Sequence, residues 1–265
     1  MLIKNKIFEI INNKLINDYT HGIFPTINHS KLIKLINSIK PFDLGHDLIR
    51  VGPHGDGGYL IPDVLKKIKT CFSPGVGNIH GFENDLLERG IKVFMADGTV
   101  EKPILFNKNY EFIKKNLGTH EDDVTTTLNS WMESKQAQDD VLLQMDIEGS
   151  EYEVVNSLDE LNLKKFKVMI IEFHYFEQVL TKMGYKIIES VMKKILKYFD
   201  VAHIHPNNSS GSYKINKVVV PSALEITFLI KELSLKKDRI NKLPHKLDSR
   251  NISHKDDIFL DKTWI

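Results

Sequence analysis

Acids and imidazoles gather at the ends of apolar runs in the second half of the chain, where a sheet hands side chains to a ligand. Asp146, Glu148 and Glu151 fall just after the run VLLQM, Glu172 and His174 close FKVMIIEF, and His203 and His205 alternate onto one face of the stretch 201–208. Near neutral pH an imidazole can take a proton from a hydroxyl. If the three runs are neighbouring strands, Asp146, Glu172, His174 and His205 converge, and carboxylate oxygens with imidazole nitrogens suit Mg, Mn or Fe. Each histidine also has a plainer reading, a hydrogen-bonded side chain within the packing. Glu151 opens a helix over 151–158 and complements its dipole, a role that Asp146 and Glu148 do not have. Glu172 lies inside an apolar run, where a charge is costly unless it is paired or used.

The element that would bring a ligand to these groups lies earlier, between Lys69 and Thr99. Cys71, Phe72 and Ser73 form a short apolar run that breaks into Pro74-Gly75-Val76-Gly77-Asn78. The two glycines let the backbone turn tightly and approach a ligand. Helical spacing follows over 82–89, Gly90 stops it, and residues 91–96 read as a second strand ending at Asp97. In such a βαβ unit the first turn lies under a nucleoside, and the acid after the second strand accepts from both ribose hydroxyls. A simple strand-to-helix turn is the alternative. The third glycine of G-x-G-x-x-G is missing, which argues against NAD.

Composition sets the frame. With 265 residues, 42% of them hydrophobic, the chain can bury one substantial core. Its 36 basic and 35 acidic residues leave a net charge of +1, so no global field points to nucleic acid or an anionic membrane. One cysteine, Cys71, excludes an internal disulfide framework and a cysteine-rich zinc site, and suggests a reducing compartment. No run approaches the ~18 apolar residues of a membrane helix, and no leader pattern opens the chain, so a cytoplasmic protein is expected.

Taken in order, residues 1–18 and 31–39 carry helical periodicity, a helical extension over 1–45. These helices could cap the core, cover the site, or pair with a second copy as a homo-oligomer. Over 48–61 a glycine-dense loop separates two apolar runs; it is either a hairpin or a cover for the turn at Gly75, with Arg50 offering a planar fork to a carboxylate. Residues 110–117 form a strand or short helix, 125–132 a capped helix, and 184–199 an amphipathic helix. The last strand pair is 217–221 with 223–230, Glu225 interrupting the latter. The main domain spans 46–235, and the charged tail 236–265 runs over the surface or docks through Ile258, Leu260 and Trp264.

The motifs RVGPHGDGGYLIP, FSPGVGNIHGFE, FMADGT, LLQMDIEGSEYEVV, VMIIEFH, HIHPNN and VPSALEITF, in this order over residues 48–232, resemble the FkbM-type S-adenosylmethionine-dependent methyltransferases. MDIEGSE is the most characteristic of them. The resemblance implies an α/β, Rossmann-like class I methyltransferase sheet, mostly parallel with an antiparallel last strand. Methyltransferase sheets often end the first strand with an acid, where this chain has Ser73. Carried over, Ser73, Gly75, Gly77, Asn78, Asp97 and Gly98 would line the cofactor, and Asp146 would face its sulfonium or the acceptor. His174, then His205, is the candidate base; Arg50, His54, Asn207 and Asn208 would bind an acceptor. The acceptor expected is a sugar hydroxyl, on a nucleotide-linked sugar or glycan precursor for a surface polysaccharide. Another metabolite, a protein side chain, or a non-catalytic adenosine-binding scaffold are the alternatives. A divalent cation on Asp146, Glu172 and His174 would lower the acceptor hydroxyl's pKa.

Overall fold

The computed structural model describes Ile7, Ile11 and residues 26–265. The helix expected over 1–18 lies almost wholly outside the described residues. The second expected helix is α1 (His29–Ser38), which Asn28 caps by accepting from the Lys31 amide and which buries Leu32, Leu35 and Ile36.

Seven strands make the central sheet. In chain order the main elements are β1 (Thr70–Pro74), α2 (Gly81–Glu88), β2 (Lys92–Ala96), β3 (Tyr110–Ile113), α3 (Leu128–Ser134), β4 (Val141–Met145), α4 (Glu151–Ser157), α5 (Glu160–Lys165), β5 (Phe166–Phe173), α6 (Lys182–Leu196), β6 (Phe199–Pro206) and β7 (Leu224–Ile230). Across the sheet they run β6-β7-β5-β4-β1-β2-β3. All pairings are parallel except those of β7, which is antiparallel to both β5 and β6. This is the Rossmann-like sheet expected, with its last strand antiparallel.

Both faces are covered, which is why these strands read as continuous apolar runs. Alternation sends Phe72, Leu143 and Ile171 into the core under α1, α3 and α6, and Cys71, Leu142 and Ile170 into a second core under α2. Cys71 is fully buried, and burial pushes its thiol well above the ordinary value, so it is a strand residue and not a nucleophile.

Smaller elements resolve the expectations left open. Leu48–Val51 and Tyr59–Pro62 form an antiparallel hairpin. Residues 110–117 hold two strands separated by Lys114 and Lys115: β3, and Asn116–Gly118, which pairs with Thr125–Thr127 in a sheet of its own. The capped helix therefore begins later than the spacing suggested: Thr127 is its N-cap, accepting from the Ser130 amide. The expected pairing of 217–221 with 223–230 is not formed. Val218–Pro221 pairs instead with Ser212–Ile215, and β7 inserts between β5 and β6.

The tail docks. Trp264 is fully buried and its indole N–H donates to the Val219 carbonyl, while Leu260 packs on the main core. Among the described residues no helix is long and apolar enough to cross a membrane.

Candidate functional site

The strand order reverses direction between β1 and β4, and in open α/β sheets ligands bind at the carboxyl edge of that reversal. A cavity of about 470 Å³ opens there. Turn residues Gly75, Gly77 and Asn78 line it from β1, Asp97 and Thr99 from β2, Asp146 and Glu148 from β4, and Asp56, Gly57 and Tyr59 from the hairpin. The loop 48–61 is thus both hairpin and cover.

Gly75 has φ +80, and a Cβ there would lie 1.5 Å from the Asp146 carbonyl oxygen. The turn is pinned on its other side by the Gly75 amide, which donates to the Ala96 carbonyl. Gly77 has φ +51 and a Cβ there would meet open space, so the chain leaves a smooth backbone floor for a ligand. Asp97 ties this floor to the next strand. Its Oδ2 accepts from the Gly77 amide at 3.0 Å, and its Oδ1 from the Thr99 amide and hydroxyl at 2.7 and 2.6 Å. Burial works against its charge, but the bonds from Thr99 and Gly77 outweigh it and hold the carboxyl below its usual range. With three bonds accepted, the ionised carboxylate keeps one acceptor site, on Oδ2, for a hydroxyl.

Next to this floor stands His174, immediately after β5. Its Nδ1 is 2.9 Å from Glu151 Oε1, and its Nε2 is 3.7 Å from Asp146, 3.5 Å from Glu148 and 3.7 Å from Glu172. Glu151 is fully buried, and the same Oε1 also accepts from the amides of Ile147 and Gly149. The carboxylate therefore locks the β4–α4 turn and fixes Nδ1 as a donor, leaving Nε2 to accept a proton. Burial opposes a charge on His174, but Glu151, then Asp146 and Glu148, outweigh it and raise its pKa above the ordinary value. Asp146 is pushed up to about 7, chiefly by burial, with His174 pulling the other way. Its Oδ1 is buried without a partner.

Three of the expected participants stand elsewhere in role. Glu172 is buried and raised well above its usual range, chiefly by desolvation, and accepts from the Asn207 amide at 2.8 Å. Among the described residues, Asp146, Glu148 and His174 can place ligand atoms within 4.8 Å of one another, a set that includes Glu148 and not the expected Glu172. Ser73 is fully buried behind the cavity wall, bonded to Glu83 and Gln144. The Gly98 amide donates to Asn116 Oδ1, and Gly98 does not line the cavity.

His205 is not brought to His174. It sits with His203, Glu225 and Asp248 under the tail; Asp248 is 2.8 Å from His203 Nε2 and 3.8 Å from His205 Nδ1, the latter too long for a hydrogen bond. Burial disfavours the imidazolium, but the carboxylates Asp248 and Glu225 lift His205 to about 9. Removing Asp248 as Asp248→Ala leaves buried positive charge uncompensated and is expected to cost about 3–5 kcal/mol in urea unfolding at pH 7. The sign with pH follows from the raised value: His205 contributes stability in full below about 6.5, and that contribution is lost as pH rises through about 9. The deficit of the variant should shrink over the same interval.

None of the four acceptor candidates lines the cavity. Arg50 gives its donors to the carbonyls of Pro53, Gly55 and Leu247. Asn208 holds the tail, donating to Ile252 and accepting from its amide, and Asn207 is spent on Glu172. His54 is exposed on the hairpin loop. The tail backbone takes Asn208 and one donor of Arg50, the hairpin loop takes the other Arg50 donors, and Glu172 takes Asn207.

Glu151 and Glu83 are the residues that sequence reasoning missed. Glu151 resembled a helix-dipole carboxylate. Glu83 had a visible signal, a carboxylate on the same helical stripe as Leu86 and Leu87.

Comparison with known proteins adds a family. Residues 73–224, from the end of β1 to the start of β7, match the methyltransferase FkbM domain. No curated protein matches significantly. Among solved structures, a chain of the fibrillarin/Nop5p complex is similar at 10% identity and a TM-score of 0.38, over 62% of this chain and 73% of that one. A Pyrococcus horikoshii protein described as an RNA methyltransferase is similar at 13% identity and a TM-score of 0.32, over 61% of this chain and 74% of that one.

Proposed function

The chain belongs to the FkbM methyltransferase family, which uses S-adenosylmethionine, and from that premise we propose that it methylates a hydroxyl on a sugar, carried on a nucleotide or glycan precursor. The observation that carries the reading is the shared carboxyl edge: the Gly75–Gly77 floor with Asp97 meets Asp146 and Glu148 across one cavity, and His174, held by Glu151, lies within 3.7 Å of both carboxylates without itself lining that cavity.

The residues present fit the cofactor. Gly77 leaves open space where a side chain would stand, Asp97 keeps an acceptor site on Oδ2 for a ribose hydroxyl, and Asp146 Oδ1 is a buried acceptor without a partner. Once bound, the cofactor supplies an electrophilic methyl group on a sulfonium. The protein's share is alignment and proton removal. Glu151 holds His174 by Nδ1, and Nε2, facing Asp146, takes the acceptor hydroxyl's proton. The resulting imidazolium is stabilised by Glu151, Asp146 and Glu148. Asp56, Asn78 and Glu148 are exposed around the mouth, polar groups suited to a hydroxyl-rich acceptor.

The test is transfer of a radiolabelled methyl group across a panel of nucleotide sugars. Transfer to a sugar hydroxyl supports the reading. Binding of S-adenosylhomocysteine with transfer to none of the panel overturns the sugar assignment and leaves another metabolite, a protein side chain or a scaffold role.

A second reading has its own observation. Asp146, Glu148 and His174 can each offer a ligand atom within 4.8 Å of the others, a donor set that suits Mg, Mn or Fe. A cation there would lower the acceptor hydroxyl's pKa, and His174 would be a ligand in place of a base. On this reading exhaustive EDTA treatment lowers turnover at least a hundredfold and Mg or Mn restores it. Unchanged turnover removes the cation from the mechanism.

A further inference from the structure

Glu83 is a buried carboxylate that the proton transfer above does not use. It sits in the first turn of α2, is 2% exposed, and lines the same cavity as Gly75 and Gly77. Its Oε1 is 2.6 Å from the Ser73 hydroxyl, and its Oε2 is buried with no hydrogen-bond partner. An orphaned carboxylate oxygen in a cavity wall is costly until a donor meets it.

The groups behind it show which kind of ligand that is. Ser73 Oγ also lies 2.7 Å from the Gln144 side-chain amide, whose other end is 3.2 Å from the Tyr59 hydroxyl. Ser73 has one proton to give, so with Glu83 ionised only one arrangement serves all four groups. Tyr59 donates to the Gln144 carbonyl, Gln144 donates through its NH₂ to Ser73, and Ser73 donates to Glu83. This turns the amide end for end, which side-chain geometry permits. Every proton of the relay then points toward Glu83, and the wall presents an acceptor to the cavity. Burial pushes Glu83 up to about 7, a cost that a cationic donor on Oε2 relieves.

Position selects the cation. Asp97 and Thr99 flank the β2 side of the cavity, whereas Glu83, Gln144 and Tyr59 line its wall beside β1 and β4. The geometry points to Glu83 as the residue that binds the α-ammonium of the cofactor's amino-acid arm, reached across Ser73 where the strand itself ends without an acid. This assignment rests on the cofactor reading above, with Asp97 on the ribose.

The experiment is calorimetric titration of the wild type and Glu83→Gln with two ligands, S-adenosylhomocysteine and 5′-methylthioadenosine, which shares the adenosine and thioether but has no amino-acid arm. Glu83→Gln is expected to weaken the first ligand at least tenfold and to leave the second within twofold. Equal loss for both, or no loss for the first, overturns the assignment while leaving the cofactor reading intact. A wild type that binds neither ligand overturns both. Should Glu83→Gln not fold, as judged by near-UV circular dichroism, the wild type decides: the homocysteine ligand lacking its amino group should bind at least tenfold more weakly than S-adenosylhomocysteine, and equal affinity overturns the assignment.

Discussion

His174→Ala is expected to lower methyl transfer by about 10²–10⁴-fold while S-adenosylhomocysteine binding stays within twofold of the wild type. The rate factor is that of a positioned acid–base group. The binding expectation follows from geometry: the backbone floor of Gly75 and Gly77, with Asp97, is built on β1 and β2, whereas His174 stands after β5. Glu151→Ala should reproduce much of the loss, because Glu151 fixes Nδ1 and with it the direction of Nε2. The pH profile gives the sign. A base must be unprotonated, and the carboxylates around His174 raise its pKa above 6.5, so kcat/KM should climb with pH along a limb centred above that value. His174→Ala at near-wild-type rates, or a limb below 6.5, would remove the imidazole from this role.

Gly75→Ala should cause the largest loss of stability among single changes in the site. A left-handed φ costs an L residue about 1–2 kcal/mol, and the added Cβ would in addition overlap the Asp146 carbonyl oxygen at 1.5 Å. That oxygen is backbone at the end of β4, so relief requires the β1 turn and the β4 turn to part. The expected result is a loss of more than about 4 kcal/mol in urea unfolding, or no folded protein, in the range reserved for strained or overpacked positions. Gly77→Ala separates the two roles of the turn. Its Cβ meets open space, so stability should fall by only about 1–2 kcal/mol, whereas S-adenosylhomocysteine affinity should fall at least tenfold. Equal stability losses at the two glycines would contradict the packing argument.

Much of this arrangement was legible in residue order because its signals are local. Apolar runs of strand length, a glycine turn after the first and an acid after the second led directly to β1, α2, β2 and Asp97. Asp146 ends such a run and lines the cavity, and His174, which ends the next, lies 3.7 Å from it. Long-range pairings left no comparable trace. The contacts of Arg50 with Leu247 and of Asn208 with Ile252 join groups far apart in the chain, and without them both residues read as acceptor-binding. The hairpin of 212–221 was missed for a different reason. Its turn places Asn216 and Lys217 at φ +48 and +75, a conformation usually announced by Asn-Gly or Asp-Gly.

The antiparallel strand has a consequence in time. β6 borders only β7 in the sheet, and β7 lies between it and β5. During synthesis residues 199–206 emerge before the one strand that can shelter them, so the nascent chain carries an open, adhesive edge until 224–230 appear. Joining them requires the newest segment to slide between two older ones, a slow closure of high contact order. A chain stalled or cut between 206 and 224 would keep that edge exposed and should be prone to aggregate.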